Sequence, residues 1–280
     1  MKKVLLGILI GILLCGTGFG VYYYFFKEEA KEEEKVETEE VKTETLDVNS
    51  ELVANLFDSV NLFDSPNVGG SGYYYAYYDK YDELDTKDFP DDLKIYLGIK
   101  KLMKVQGSYE KYVNSMDKCI TGQGLVISAD EVETSVKSIF GSDVKYKDTN
   151  LQEAYSCSYS KFQYDESSDN YGQCELQCGG VLIPSYISNI VSAIKKDSVL
   201  ELTVSFGWVR FTNDNGKTTA IIYENEEEKN QLDSVEIDDN NIDTTEIADK
   251  VGDKFIKTYK YIFELNEDGN YYFKKVEKVK

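Results

Sequence analysis

The sequence predicts an α+β protein: an N-terminal transmembrane helix, then helices followed by a curved antiparallel sheet. Three observations predict it. Lys2 and Lys3 precede an apolar run, residues 4–26, that carries no charge and no proline. At about 1.5 Å per residue it reaches across a hydrocarbon core of about 30 Å as a single helix. From residue 49 to residue 140 apolar side chains recur at helical spacing behind capping residues, and beyond residue 155 the period falls to two, punctuated by turn sequences.

The amino terminus divides into a cytoplasmic stub (1–3), a transmembrane anchor (4–26), an acidic disordered linker (27–48) and an extracytoplasmic α+β domain (49–280). Positive charge is retained on the cytoplasmic side. Lys2 and Lys3 therefore stay inside, and the acidic residues from Glu28 onward go out. Tyr22 to Phe26 suit the headgroup region and replace the small residues that a signal peptidase needs. Two alternatives are a cleaved export signal and a lipoprotein. Ile12-Leu13-Leu14-Cys15-Gly16 resembles a bacterial lipoprotein cleavage site, though Leu14 is bulkier than that motif takes before its cysteine.

Residues 27–48 mix Glu, Lys and Thr with almost no large apolar side chain, and read as a solvated stalk. Asn49 and Ser50 then cap a helix with Leu52, Val53, Leu56, Val60 and Phe63 on its apolar side, ending before Pro66. Asp88 and Pro90 open a second, with Leu93, Tyr96, Leu97, Leu102 and Met103 inward. A third has the clearest signature: Ser128 and Glu131 at capping-box spacing, a stripe of Val132, Val136, Ile139 and Phe140, and Gly141 as the stop.

Residues 155–165 and Gln173 to Cys178 make a hairpin about a turn at Glu166 to Asn170. Ile187 to Ile194 pairs with Val199 to Phe211, on which Leu200, Leu202, Val204, Phe206 and Trp208 point one way. Thr219 to Tyr223 pairs back after Asn213-Asp214-Asn215-Gly216, and residues 224–249 read as a solvated excursion. Tyr259 to Leu265 and Asn270 to Val279 form a last hairpin. This order of elements, over residues 90–280, is similar to the NTF2-like or cystatin-like architecture, in which a bent sheet and helices enclose a cone-shaped pocket. The likeness carries no diagnostic motif, implies no site residue, and belongs to a functionally diverse family.

Composition excludes more than it assigns. The formal net charge of −20 argues against a nucleic-acid partner. Histidine is absent, which removes Ser-His-Asp and Cys-His catalysis and imidazole metal ligation. Arg210 is the one arginine among 31 basic residues, a skew that points to an AT-rich bacterial genome. No catalytic motif and no cofactor site stand out, so the reading is not an enzyme.

Outside the anchor four cysteines lie in a compartment that permits disulfides. Hairpin register prefers Cys157 with Cys178, which leaves Cys119 with Cys174. A four-thiolate zinc site lacks a matching knuckle pair. Asp238 to Glu246 offers oxygen ligands without the spacing of a calcium loop, which argues against specific calcium binding. The run Tyr73, Tyr74, Tyr75, Tyr77 and Tyr78, with Trp208 and Arg210, is the candidate binding surface, because tyrosine joins apolar area to a polar tip. The expected function is a membrane-anchored bacterial surface protein whose extracytoplasmic domain binds a cell-envelope or protein partner. A structural envelope component or a hydrolase with paired carboxylates are the alternatives.

Overall fold

The computed structural model describes residues 42–62, 77–105, 107–117, 119, 122–151, 161–174, 185–214, 216–225, 227–237, 247–248 and 257–279. The chain divides into two units between Val41 and Lys42. The expected anchor at 4–26 lies outside the described residues, and among these no helix is long and apolar enough to cross a membrane.

From Lys42 the elements are β1 (Thr43–Thr45), α1 (Glu51–Val60), β2 (Glu83–Asp85), α2 (Asp91–Met103), α3 (Ser108–Tyr112), β3 (Val113–Ser115), β4 (Gln123–Ser128) and α4 (Ala129–Phe140). They continue as β5 (Gln163–Asp165), β6 (Asn170–Cys174), β7 (Ser185–Lys196), β8 (Val199–Asp214), β9 (Lys217–Tyr223), β10 (Gln231–Ile237), β11 (Lys257–Leu265) and β12 (Tyr271–Lys278). This corrects the expected α+β order of helices first and sheet after. Antiparallel sheet dominates the described residues, and one short strand precedes the helices while three stand among them. The likeness to the NTF2-like or cystatin-like architecture rested on that order and falls with it. Strands of three residues show no period of two; pairing with long strands far away in sequence creates them.

Two sheets result. The larger runs β1-β7-β8-β11-β12-β2, with β9 and β10 attached to β8; the smaller runs β3-β4-β6-β5. The 16-residue β8 organises the first. One edge pairs with β7, and the other pairs with β11 over Val199–Phe206 and then with β9 over Trp208–Asp214. Its near half buries Leu200, Leu202, Val204 and Phe206 in the main core, beneath Phe57 of α1, whose ring meets Tyr261 edge-on at 5.6 Å. At the far half the opposite face is covered, and Val209 joins Ile187, Ala220, Ile222, Val235 and Ile247 in a second cluster. The stretch after Tyr223, expected to be solvated, thus contributes β10 and the buried Ile247.

Residues 42–48, expected in the linker, belong to the second unit. Thr43 and Thr45 pair with Lys196 and Ile194, and Asp197 N–H donates to the Lys42 carbonyl at 3.3 Å. Leu46 and Val48 pack on the core, and the Asp47 carboxylate accepts from Asn49 N–H at 2.9 Å. The folded body therefore begins at Lys42, not Asn49.

The helices follow their local chemistry. Ser128 Oγ accepts from Glu131 N–H at 3.3 Å and donates to its carboxylate at 3.2 Å, which satisfies the first turn of α4. Gly141 ends it at φ 97°, a conformation that a Cβ opposes. Helices α2 and α4 cross at Gly98, where the absent side chain admits Val136.

Candidate groove between α1, α2 and α4

Helix α1 carries two apolar stripes. Val53, Phe57 and Val60 enter the core, while on the neighbouring face Leu56 packs half-buried against its edge and Leu52, four residues away, stays exposed. Leu52 is 45% exposed. Beside that second stripe run the last turns of α2 and α4 and the β11–β12 turn. Together they enclose a groove of about 760 Å³ lined by Leu52, Leu56, Lys101, Ile139, Phe263 and Tyr271, among others.

Three lysines near the end of α2 meet this region differently. Lys100 is buried and donates to the carbonyls of Asp58, at 3.2 Å, and Asn61, which cap the end of α1 where the helix leaves its carbonyls unpaired. Lys104 pairs with the Asp58 carboxylate at 2.9 Å. Lys101 lies in the groove wall and donates to Ser138 Oγ at 2.8 Å, while that hydroxyl donates to the Ser135 carbonyl at 2.6 Å. Burial holds the Lys101 ammonium below its usual lysine range. Lys101 was missed in the sequence because a lysine beside other lysines reads as solvated; its one signal was its place on a helix whose neighbouring positions are core.

The residues singled out from sequence lie elsewhere. Tyr73, Tyr74, Tyr75, Cys157 and Cys178 are outside the described residues, as is the acidic run 238–246. Tyr78 is 1% exposed, donates to the Val60 carbonyl at 3.3 Å, and is a core residue. Tyr77 is half-buried and packs on Tyr81. Cys119 and Cys174 are joined in a disulfide with Cα atoms 5.4 Å apart, which ties the end of β6 to the loop between β3 and β4. Arg210 is held by Glu228 at 2.7 Å.

A second polar cluster connects the helical residues Tyr77 to Asp79 to Trp208. Asp79 accepts from Lys257 and from the Tyr259 hydroxyl, and Lys278 lies 3.5 Å away. Lys257 also donates to the Tyr186 hydroxyl at 3.0 Å, and the Tyr186 ring meets Trp208 edge-on at 4.8 Å. Burial pushes the Asp79 carboxyl up, but these hydrogen bonds and charges outweigh it and hold the group below its usual range. Two ammoniums share one carboxylate here, and the hydrogen bonds through Lys257 and Tyr259 tie β7 and β11 to residues 77–79.

No protein-family model, curated protein or solved structure matches this chain. The groove is therefore judged on its own geometry. Among the described residues no group of acids and cysteines has the arrangement of a metal site. The groove instead mixes apolar side chains with Asn55, Ser59 and Asn270, the paired Lys104 and Asp58, and the Lys101 ammonium.

Proposed function

We propose that this chain is a membrane-anchored bacterial surface protein whose extracytoplasmic body is a binding module, with the groove between α1, α2 and α4 as its site. The observation that carries the reading is the groove's combination of size and chemistry. About 760 Å³ suits a small ligand or a short peptide, and its lining joins Leu52, Leu56, Val105, Ile139 and Phe263 to polar groups that can orient a ligand. The desolvated Lys101 adds the perturbed titrating group that marks functional clefts. Residues 4–26 supply the anchor, with Lys2 and Lys3 on the cytoplasmic side.

The site is tested by melting the full chain in lipid nanodiscs against acetyl-Leu-Leu-Leu amide, since selective binding to the native state raises its stability by mass action. A concentration-dependent rise is expected for the native chain and none for Asn55→Trp, whose exposed position at the groove takes an indole without disturbing the core. No rise in the native chain, or an equal rise in both, rejects the groove as the site. Protease added to intact cells tests the orientation: the body should be degraded, and a protected body would reverse the proposed topology.

A further inference from the structure

We infer that the groove recognises a carboxylate borne on an apolar group, with Lys101 as its counter-charge. The inference rests on the binding reading above and names the ligand chemistry. The chain carries 51 acidic and 31 basic residues, and many of its lysines meet a carboxylate. Lys104, Lys111, Lys137, Lys196 and Lys275 each meet one within 3.2 Å. Lys101 meets none among the described residues and donates to the Ser138 hydroxyl. Asp58 is the one carboxylate lining the groove, and Lys104 holds it at 2.9 Å. An ammonium has three donors; Ser138 takes one and an occupant of the groove can take the others.

The charge count selects the ligand class. A half-buried cation lacking a counter-ion bears a desolvation cost that an incoming anion offsets. One uncompensated lysine matches a monoanion. A phosphate dianion would call for a second cation or an arginine fork, and Lys104 is engaged. Leu52, Leu56, Val105, Ile139 and Phe263 line the same groove and offer contacts to an apolar part of the ligand. A free organic acid and the C-terminal carboxylate of a peptide share this chemistry.

The test is calorimetric titration of the full chain in nanodiscs, with empty nanodiscs as blank. The probes are 4-phenylbutanoate against 4-phenylbutanol, and acetyl-Leu-Leu-Leu acid against its amide. The native chain should bind an acid about tenfold tighter than its neutral partner, as one charge-assisted hydrogen bond provides. Lys101→Met should lose that preference and keep the neutral affinity. The pair that shows the preference identifies the source, free acid or peptide terminus. Equal binding of acid and neutral probes by the native chain overturns the inference and leaves the binding reading standing; no binding of any probe overturns both. A preference that survives in Lys101→Met rejects Lys101 as the counter-charge. A readout independent of that variant is the titration of ¹³C-methylated Lys101, whose pKa should rise with 4-phenylbutanoate and stay put with the alcohol; no rise is a second refutation.

Discussion

Removing the Cys119–Cys174 bridge should cost most of what loop closure predicts, and its effect should be local. The two cysteines are 55 residues apart in sequence. Cross-linking a loop of that length removes about 14 cal/mol/K of chain entropy from the unfolded state, or about 4 kcal/mol at 25 °C. The bonded side chains sit at the end of β6 and in the loop leading to β4, so the constraint acts on the smaller sheet. Cys119→Ala with Cys174→Ala leaves Cys157 and Cys178 untouched, which separates this bridge from any other thiol chemistry. Urea denaturation of the full chain should show a loss of about 2–4 kcal/mol, within the usual range for a native disulfide. Hydrogen exchange should show the amides of the β4–β6 ladder losing protection before those of β8 and β11. A loss below about 1 kcal/mol, or protection lost first in the larger sheet, would contradict the placement of this constraint.

Three further outcomes follow from packing and charge. A fragment beginning at Asn49 should be less stable than one beginning at Lys42 by about 2–3 kcal/mol in urea, because it lacks β1, the turn held by Asp47 and the packing of Leu46 and Val48; equal stabilities would return residues 42–48 to the linker. Gly98→Ala puts a Cβ 2.6 Å from Val136 Cγ2, and a β-branched side chain cannot swing clear. The expected loss is about 1–3 kcal/mol, partly recovered by adding Val136→Ala, and an unchanged denaturation midpoint would refute the tight crossing. Asp79 has its folded pKa held below its ordinary 3.8, so its contribution is fully present above that value and is lost as pH falls through the folded pKa. Asp79→Asn should therefore lower stability at pH 7 and differ progressively less from the native chain below about pH 4; a constant difference would remove the Lys257–Asp79 pair from the acid response.

What was legible in the sequence was local. The Ser128 and Glu131 spacing with Gly141 marks α4 because cap and stop act within one turn of the helix, and the apolar alternation of β7 and β8 marks a hairpin closed by a short turn. The rest depends on distant partners. Thr43–Thr45 has no strand pattern of its own and becomes β1 through the end of β7. Alternation in β8 says which residues share a face, but not that the covered face changes between Phe206 and Val209. On α1 the apolar residues merge into one wide stripe in sequence, and only the positions of α2 and α4 separate core-facing Val53 and Phe57 from exposed Leu52, with Leu56 both at the core's edge and in the groove wall. The groove was invisible for the same reason: its walls come from three helices and a hairpin turn that the chain brings together late. Lys101 looked like any surface lysine until Ser138 and the groove surrounded it.

The most direct measurement is methyl and amide shift mapping of the full chain in nanodiscs during titration with acetyl-Leu-Leu-Leu acid. The account predicts shifts concentrated at Leu52, Leu56, Lys101, Ser138, Ile139 and the β11–β12 turn, and abolished in Asn55→Trp. Shifts centred instead on Tyr186, Trp208 and Arg210, or spread evenly over the body, would contradict the groove as the site where this module binds.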